Sequence, residues 1–453
     1  MILNKNIYQN LFLTIIAITV SFNASLNPLL IQLSFINFVG LFLLCLKNES
    51  ILRSIKDNYY NNKLFFIFFF IYIFYLIIQI IPLPLNLFQF ISSNNYNIYA
   101  SINIDKKFWS LSLDPSNTYF CILNSINFFI IFLLFPCLFD RRKHLMKFLF
   151  FLCFLGFCHA VFATYWMLIG NPSNFLLVKS WYKSASTGLF VNRSVFGSFL
   201  LICAFSGLFY INVFFQKNKV TNFNFIEQIN SKIIFVRIFI IFLSIGILTT
   251  WSRAVNFSYL LILVSFLFYS KVQFKKYINS LSTIIIFILI FDVLVLGILF
   301  GNEKLITRYA ETTIIKEELR IELQKFSIDQ FKNFWLFGYG SGAFGQVYKL
   351  FYIMPEGSKH LARYAHNDGL QILGEIGLIG TLILLFLSFI YFKKLIQKIK
   401  YEREHFNYLP ILIIISILFF QSLVDFSLHI PGISILLMTI LSVSLIDFKK
   451  NYS

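Results

Sequence analysis

Long apolar runs recur along the whole chain and are separated by short polar segments. A bilayer core of about 30 Å is crossed by about 20 helical residues. Runs close to that length predict spanning helices at residues 7–23, 28–46, 64–82, 118–138, 145–169, 191–215, 233–250, 254–270, 279–300, 367–392, 408–426 and 430–447. The pattern therefore predicts an all-α, polytopic membrane protein with about 12 transmembrane helices, in which residues 1–453 form a single integral membrane domain.

The connections between these runs alternate in charge. Lysine and arginine concentrate in every second connection, for example at 47–63, 141–147 and 393–403. Because short basic loops stay on the cytoplasmic side of a membrane, we expect a bacterial inner (cytoplasmic) membrane protein with both termini in the cytoplasm. The net charge of +18 follows from this loop pattern, so no nucleic-acid partner is expected.

The longest polar segment, residues 301–366, falls between predicted helices nine and ten, and the alternation places it in the periplasm. Part of it, about 310–332, has the apolar spacing of a helix at Ile315, Leu319, Leu323 and Phe326. Such a helix lies either on the membrane interface or over the mouth of the bundle, and the sequence leaves both open. We interpret the glycine-rich run 338–342 as a flexible turn, because it lacks the context of a phosphate-binding loop.

The composition agrees with a lipid environment. Hydrophobic residues make up 58% of the chain and charged residues only 13%, with a mean hydropathy of +0.76, whereas soluble domains carry about 25% charged residues. The six cysteines lie in or beside apolar runs without CxxC spacing. This predicts neither a disulfide framework nor a zinc site, and we expect no metal.

Polar residues inside spanning helices are costly and usually face a working site. Two such groups lie late in the chain. One follows the long loop and has His366 and then three residues on one helix face, Asp368, Gln371 and Glu375; the other has the spacing i, i+4, i+8 at Gln421, Asp425 and His429. A helix cap and an interhelical hydrogen bond are the purely structural alternatives. An imidazole and carboxylates at the outer membrane surface favour acid–base chemistry.

Two arginines stand against the positive-inside bias, because both lie at predicted outer helix ends. Arg193 follows Asn192, and Arg253 follows Ser252. The planar guanidinium suits phosphate oxygens, although either arginine alone could instead reach a lipid headgroup. Together with His366 they favour an anionic ligand.

These landmarks resemble the O-antigen ligase and polymerase superfamily of membrane glycan transferases. The similarity follows the family order over residues 79–431 and rests on QIIPLP at 79–84, LSLDP at 111–115, NRSVFG at 192–197, WSRA at 251–254, Arg320, FGYGSGAF at 337–344, HND at 366–368 with EIG at 375–377, and SLVDFSLHIP at 422–431. Ala254 departs from the glycine that many members carry after Ser-Arg.

The resemblance implies a transferase that uses an undecaprenyl-diphosphate-linked oligosaccharide donor at the periplasmic face, without metal, nucleotide or other cofactor. His366 would be catalytic, as the base that activates the acceptor hydroxyl or as the group that positions it. Arg193, Arg253 and Arg320 would hold the diphosphate. The supporting polar residues would be Asn192, Asp368, Glu375, Asp425 and His429.

The acceptor stays open at this point. A polymerase would add the glycan to another lipid-linked repeat, an O-antigen ligase would hand it to lipid A-core, and a third branch of the superfamily glycosylates protein hydroxyls. The resemblance at QIIPLP and LSLDP favours a polymerase or an exopolysaccharide-type ligase. A transporter or flippase for lipid-linked sugars is the alternative from another class. Against it, the two halves show no matched interrupted helices, and the polar residues gather at one face instead of the midplane.

Overall fold

The structure is a computed structural model of the 453-residue chain. It describes residues 4–101, 108–172, 182–218, 231–274, 283, 285–288, 290, 314–352, 362–402 and 406–448. Most of the predicted ninth helix (279–300), the start of the large loop (301–313), and its residues 353–361 therefore lie outside the described residues.

The described residues are almost entirely helical. The α-helices are α1 (Lys5–Ser21), α2 (Pro28–Leu46), α3 (Glu49–Asn61), α4 (Lys63–Ile80), α5 (Leu85–Ile91), α6 (Ser93–Ser101), α7 (Pro115–Leu138), α8 (Arg142–Leu168), α9 (Arg193–Asn218), α10 (Ser231–Leu248), α11 (Arg253–Phe274), α12 (Ile314–Asn333), α13 (Phe344–Phe351), α14 (Asp368–Tyr401), α15 (Leu409–Ser422) and α16 (Pro431–Ser442). Short 3-10 helices cover Asn23–Ser25, Ser427–His429 and Val443–Leu445. Two strands, β1 (Leu83–Pro84) and β2 (Phe108–Trp109), pair antiparallel.

Seven of the described helices are long and apolar enough to cross a membrane: α2, α4, α7, α8, α9, α11 and α14. Four more helices coincide with predicted runs, namely α1, α10, α15 and α16. The prediction of an all-helical polytopic membrane protein is confirmed, and the total of about 12 spans stays a prediction.

Contacts at one end of the bundle join connections that the charge pattern assigns to the cytoplasm. The Lys5 Nζ lies 2.8 Å from a carboxylate oxygen of Asp140, and Lys394 donates a hydrogen bond to Asn62. The structure adds α3, a helix that the apolar runs do not predict, in the connection 47–63. Most residues of α3 are polar, and only two apolar residues, Ile51 and Ile55, are buried. Their helical spacing is too short a pattern to predict a helix.

The most central span is α9, because 94% of its most apolar window is buried inside the protein. Phenylalanines along it, such as Phe196 and Phe199, are fully buried and pack on Phe190. The helix begins at Arg193 at the end of the bundle opposite the Lys5–Asp140 contact. The packed core therefore fixes the place where this arginine meets solvent or ligand.

The long helix α14 is interrupted near its start. At Gly377 the backbone has φ +61° and ψ −169°, which leaves the helical region. An uninterrupted helix would join the amides of Leu378 and Ile379 to the carbonyls of Gly374 and Glu375. Instead these amides donate to the carbonyls of residues 335 and 336, at 2.7 and 3.1 Å. The chain after α12 is thereby bonded directly to the broken turn.

Candidate active site

Two helices, α9 and α11, start side by side at the end of the bundle opposite the Lys5–Asp140 contact. Asn192 caps α9, since its side-chain oxygen accepts a hydrogen bond of 2.7 Å from the Ser194 amide. The Ser194 hydroxyl lies 3.0 Å from that of Ser252, the residue before α11. Arg193 and Arg253 are the first residues of the two helices. Two positive helix ends and two guanidinium groups therefore converge on one place, which favours an anion.

A cavity of about 400 Å³ opens at these helix starts, within the usual size of a small-molecule site. Six of the residues predicted to form the site line it: Asn192, Arg193, Arg253, Arg320, His366 and Asp425. Tyr182 also lines it, with its ring centroid 5.2 Å from the guanidinium carbon of Arg193, within the range of a cation–π contact. The cavity therefore combines three guanidinium groups with one imidazole and few carboxylates.

His366 occupies a backbone conformation that only the surrounding bonds maintain. Its φ is +54°, a left-handed value that costs a non-glycine residue of the order of 1 kcal/mol or more. The amide of Ala365 donates to the Gln371 side chain at 2.9 Å, and Asn367 caps α14 through the Leu370 amide at 3.0 Å. Both flanks of the imidazole are thus fixed by residues of α14.

The imidazole of His366 is held in a protonation state suited to accept a proton. Burial lowers its pKa, the nearby Arg320 charge lowers it further, and Asp425 partly opposes both. The ring packs edge-on against Phe426 at 4.8 Å between centroids. Its Nδ1 is buried and has no hydrogen-bond partner among the described residues. At neutral pH the side chain is therefore a neutral base that faces the arginine-lined cavity.

Asp425 lies on a turn, which differs from the expected helical stripe. Helix α15 ends at Ser422, and the carboxylate accepts hydrogen bonds from the Phe426 amide at 2.9 Å, from the Ser427 hydroxyl at 3.0 Å and from the Ser194 hydroxyl. Gln421, still on the helix, donates to Ser198 at 2.6 Å. The i, i+4, i+8 spacing therefore does not describe one face, because the chain leaves the helix between the first two residues.

The other three predicted residues meet behind the cavity in a buried cluster. His429 Nδ1 is hydrogen-bonded to Asp368, and its Nε2 lies 3.9 Å from an oxygen of Glu375. The pKa of His429 is raised: burial opposes the cation, but the two carboxylates outweigh that penalty. Gln371 adds a bond of 2.9 Å to Glu375. His429 of the second polar group thus joins Asp368, Gln371 and Glu375 of the first in one buried cluster.

The glycine-rich run 338–342 is fixed in place, so its interpretation as a flexible turn is wrong. The amides of Tyr339 and Gly340 donate to the carbonyls of residues 374 and 375 at 3.1 and 3.0 Å. The Gly342 amide donates to the Glu375 carboxylate at 2.8 Å. A Cβ at Gly338 would lie 2.3 Å from the Glu375 carbonyl oxygen, and one at Gly377 would lie 2.3 Å from the Gly338 nitrogen. Glycine is required there because two backbones touch.

Gln79 joins this contact from α4 and was not predicted as part of the site. Its amide nitrogen donates to the carbonyls of Phe337 and Glu375 at 3.0 and 3.1 Å, and its oxygen accepts from the Ser341 amide at 3.1 Å. The signal available in the sequence was a glutamine at the end of an apolar run, and the structure shows this side chain fully buried. The Ser194–Ser252 contact and Tyr182 had no comparable signal, since each depends on tertiary packing.

Comparison with known families adds an independent observation. Residues 238–385 match the model of the O-antigen ligase family. Over these residues the sequence is similar to the O-antigen ligase family. The matched range contains Arg253, Arg320, His366, Asp368 and Glu375, and the resemblance to the O-antigen ligase and polymerase superfamily is confirmed. No curated protein matches the chain.

Similarity to the O-antigen ligase family indicates a membrane enzyme that transfers a glycan, with a lipid-linked glycan and an acceptor as its substrates. Arg193 and Asp425 fall outside the matched range yet line the same cavity as Arg253 and His366. The cavity therefore combines residues of the matched range with residues on both sides of it in the sequence.

Proposed function

We propose that this chain transfers a glycan from an undecaprenyl-diphosphate-linked donor to an acceptor hydroxyl at the periplasmic face of the bacterial inner membrane. The observation that carries the proposal is the meeting of Arg193, Arg253 and Arg320 with His366 in one cavity. A diphosphate leaving group needs cations where its negative charge develops. A neutral imidazole in the same cavity supplies a base for the hydroxyl.

The donor side of the reaction uses the arginines and the two helix starts. Arg193 and Arg253 sit at the first positions of α9 and α11, so two guanidinium groups and the positive ends of two helix dipoles act on the same anion. Asn192 holds the start of α9, and Arg320 reaches the cavity from α12. The bond between the anomeric carbon and the phosphate oxygen breaks, and the electron pair stays on the diphosphate.

The acceptor side uses His366. The acceptor oxygen forms the new bond to the anomeric carbon, and its proton passes to the imidazole. Asp425 stands in the same cavity and stabilises the imidazolium that results, as the effect of its charge on the His366 pKa indicates. Asp368, Glu375 and His429 support this arrangement from behind, because Asp368 starts the helix that fixes the His366 backbone. The proposal assigns no step to a metal or a nucleotide.

The acceptor is a second lipid-linked glycan for a polymerase or lipid A-core for a ligase. A test deletes the gene in the native host and complements it with wild type or His366→Ala, and the envelope glycans are then resolved on a gel. Single repeats that only wild type extends to ladders indicate a polymerase. Long chains left on the lipid carrier beside bare lipid A-core indicate a ligase. Loss of the base should lower transfer by about 10²–10⁴-fold.

The matched control is His144→Ala, because His144 pairs with Asp140 at the opposite end of the bundle. It should restore the wild-type pattern. Both variants are checked for membrane insertion by immunoblot of the membrane fraction. Full restoration by an inserted His366→Ala protein would remove this histidine from the mechanism. A glycan pattern that does not change on deletion would contradict an essential envelope role and direct the search to protein glycosylation.

A further inference from the structure

A second cavity lies on the other side of the chain segment that carries His366. It has a volume of about 560 Å³ and opens between the start of α7, helix α13 and the start of α16. Ala362 lines both this cavity and the arginine-lined one, so the two spaces share a wall. The reaction proposed above needs two substrates, and its donor accounts for only one of these spaces.

The second cavity differs from the first in chemistry. Its lining combines carboxamide and aromatic side chains, Asn117, Asn124, Gln346, Phe120 and Tyr364, with the ionisable Asp114, Lys349, Arg363 and His429. The side-chain oxygen of Asn124 is buried and has no hydrogen-bond partner among the described residues. Carboxamides both donate and accept, as sugar hydroxyls do, and aromatic faces pack against the C–H face of a sugar ring. The carboxamide and aromatic part of this lining therefore suits a polyhydroxylated ring.

The wall between the cavities is thin at the reacting imidazole. Tyr364 stacks on Phe426 with 4.5 Å between ring centroids and 4° between planes, while His366 meets the same Phe426 ring edge-on at 4.8 Å. Tyr364 lines the second cavity and His366 the first. Tyr364 and His366 are two positions apart in the chain, so a saccharide beside Tyr364 lies close to the segment that carries the base.

We infer that the second cavity is the subsite for the acceptor saccharide, which presents a hydroxyl to His366 past the segment 362–366 that separates the two cavities. The inference rests on the proposed function and deepens it by assigning a place to the second substrate. Asn124 and Gln346 bind the hydroxyls of the acceptor ring, and Tyr364 packs against it. The acceptor proton passes to His366, the oxygen bonds to the anomeric carbon, and the diphosphate leaves into the arginine-lined cavity.

The test measures transfer by the purified full chain in liposomes. The probes are the lipid-linked glycan fraction and the lipid A-core fraction, both extracted from the host deleted for this gene. Initial rates are recorded against acceptor concentration at saturating donor, and against donor concentration at saturating acceptor. Asn124→Leu and Gln346→Ala should each raise the KM for the acceptor roughly tenfold, the size expected for losing one hydrogen bond, and leave the KM for the donor unchanged.

Arg253→Lys should have the opposite effect: it should change how the rate depends on donor concentration and leave the KM for the acceptor unaltered. Asn97→Leu is the control, because Asn97 is exposed on α6 and lines neither cavity. Gln346 is only half-buried, so its variant tests the subsite if Asn124→Leu fails to elute as a single species from a size-exclusion column. An unchanged acceptor KM, or an equal rise in the donor KM, overturns the subsite while transfer itself persists. Absence of transfer by wild type with either fraction overturns the proposed function instead.

Discussion

The contact between the glycine-rich run and the broken turn of α14 makes a quantitative prediction for Gly338→Ala. Gly338 has φ +74°, and an added Cβ would stand 2.3 Å from the carbonyl oxygen of Glu375. The obstacle is backbone, so no side-chain rotation relieves it. The substitution therefore has to separate the two backbones or unfold part of the loop.

The size of the effect follows from the bonds that are lost. A left-handed backbone costs an L-residue about 1–2 kcal/mol. Separation of the backbones would break the bonds from Tyr339 and Gly340 to residues 374 and 375, at 3.1 and 3.0 Å. Each such bond contributes about 0.5–1.5 kcal/mol. Gly338→Ala should therefore destabilise the protein by about 2–5 kcal/mol and also displace the Glu375 carboxylate.

Two other glycines separate the causes. Gly170 also has a positive φ, +82°, but an added Cβ meets nothing within 4 Å. Gly40 lies in helix α2, likewise with no atom within 4 Å. The assay is the temperature at which half of the monodisperse protein in detergent is lost, at one heating protocol because unfolding of such proteins is often irreversible. We expect Gly40→Ala to equal or exceed wild type, Gly170→Ala to fall slightly, and Gly338→Ala to fall furthest.

The decisive measurement is the difference in midpoint temperature between Gly338→Ala and Gly170→Ala. A midpoint for Gly338→Ala no lower than that for Gly170→Ala would show that the backbone angle alone matters. The loop would then not be locked to α14, and the reasoning about Glu375 would fail with it. Loss of transfer activity should accompany the loss of stability, since the Gly342 amide bonds the Glu375 carboxylate at 2.8 Å.

Two further predictions concern protonation and orientation. Transfer should decline towards acid pH as His366 becomes protonated. Because the Arg320 charge lowers the His366 pKa, Arg320→Gln should move this decline to higher pH. The control Lys325→Gln, on the same helix but outside the cavity, should leave the decline in place, and a shift in both variants would mean that the effect is one of general surface charge. In a background without native cysteines, Lys349→Cys should react with a membrane-impermeant maleimide on spheroplasts, which lack the outer membrane, whereas Arg53→Cys should react only after lysis. Labelling of Lys349→Cys only after lysis would place the cavities in the cytoplasm and refute the periplasmic transferase.

The apolar runs and short-range patterns of the sequence determined the spanning helices and most of the candidate site. Eleven of the predicted runs coincide with described helices, namely α1, α2, α4, α7 to α11 and α14 to α16, because burial in lipid requires a continuous apolar segment whatever the partners are. Arg193, Arg253 and His366 were recognisable because charged residues at outer helix ends are costly without a function. All nine predicted site residues lie at one end of the bundle, in one cavity or directly behind it.

Tertiary structure alone decided how these residues meet. His429 reaches Asp368 across 61 positions of sequence, and periodicity within one helix carries no information on such a contact. The glycine-rich run looked like a flexible turn because its bonding partners, Gly374 and Glu375, are backbone groups that a continuous α14 would have satisfied itself. Only the break at Gly377 makes those groups available. Local pattern thus determined which segments enter the membrane and which side chains are unusual there, while packing determined the partners of each one.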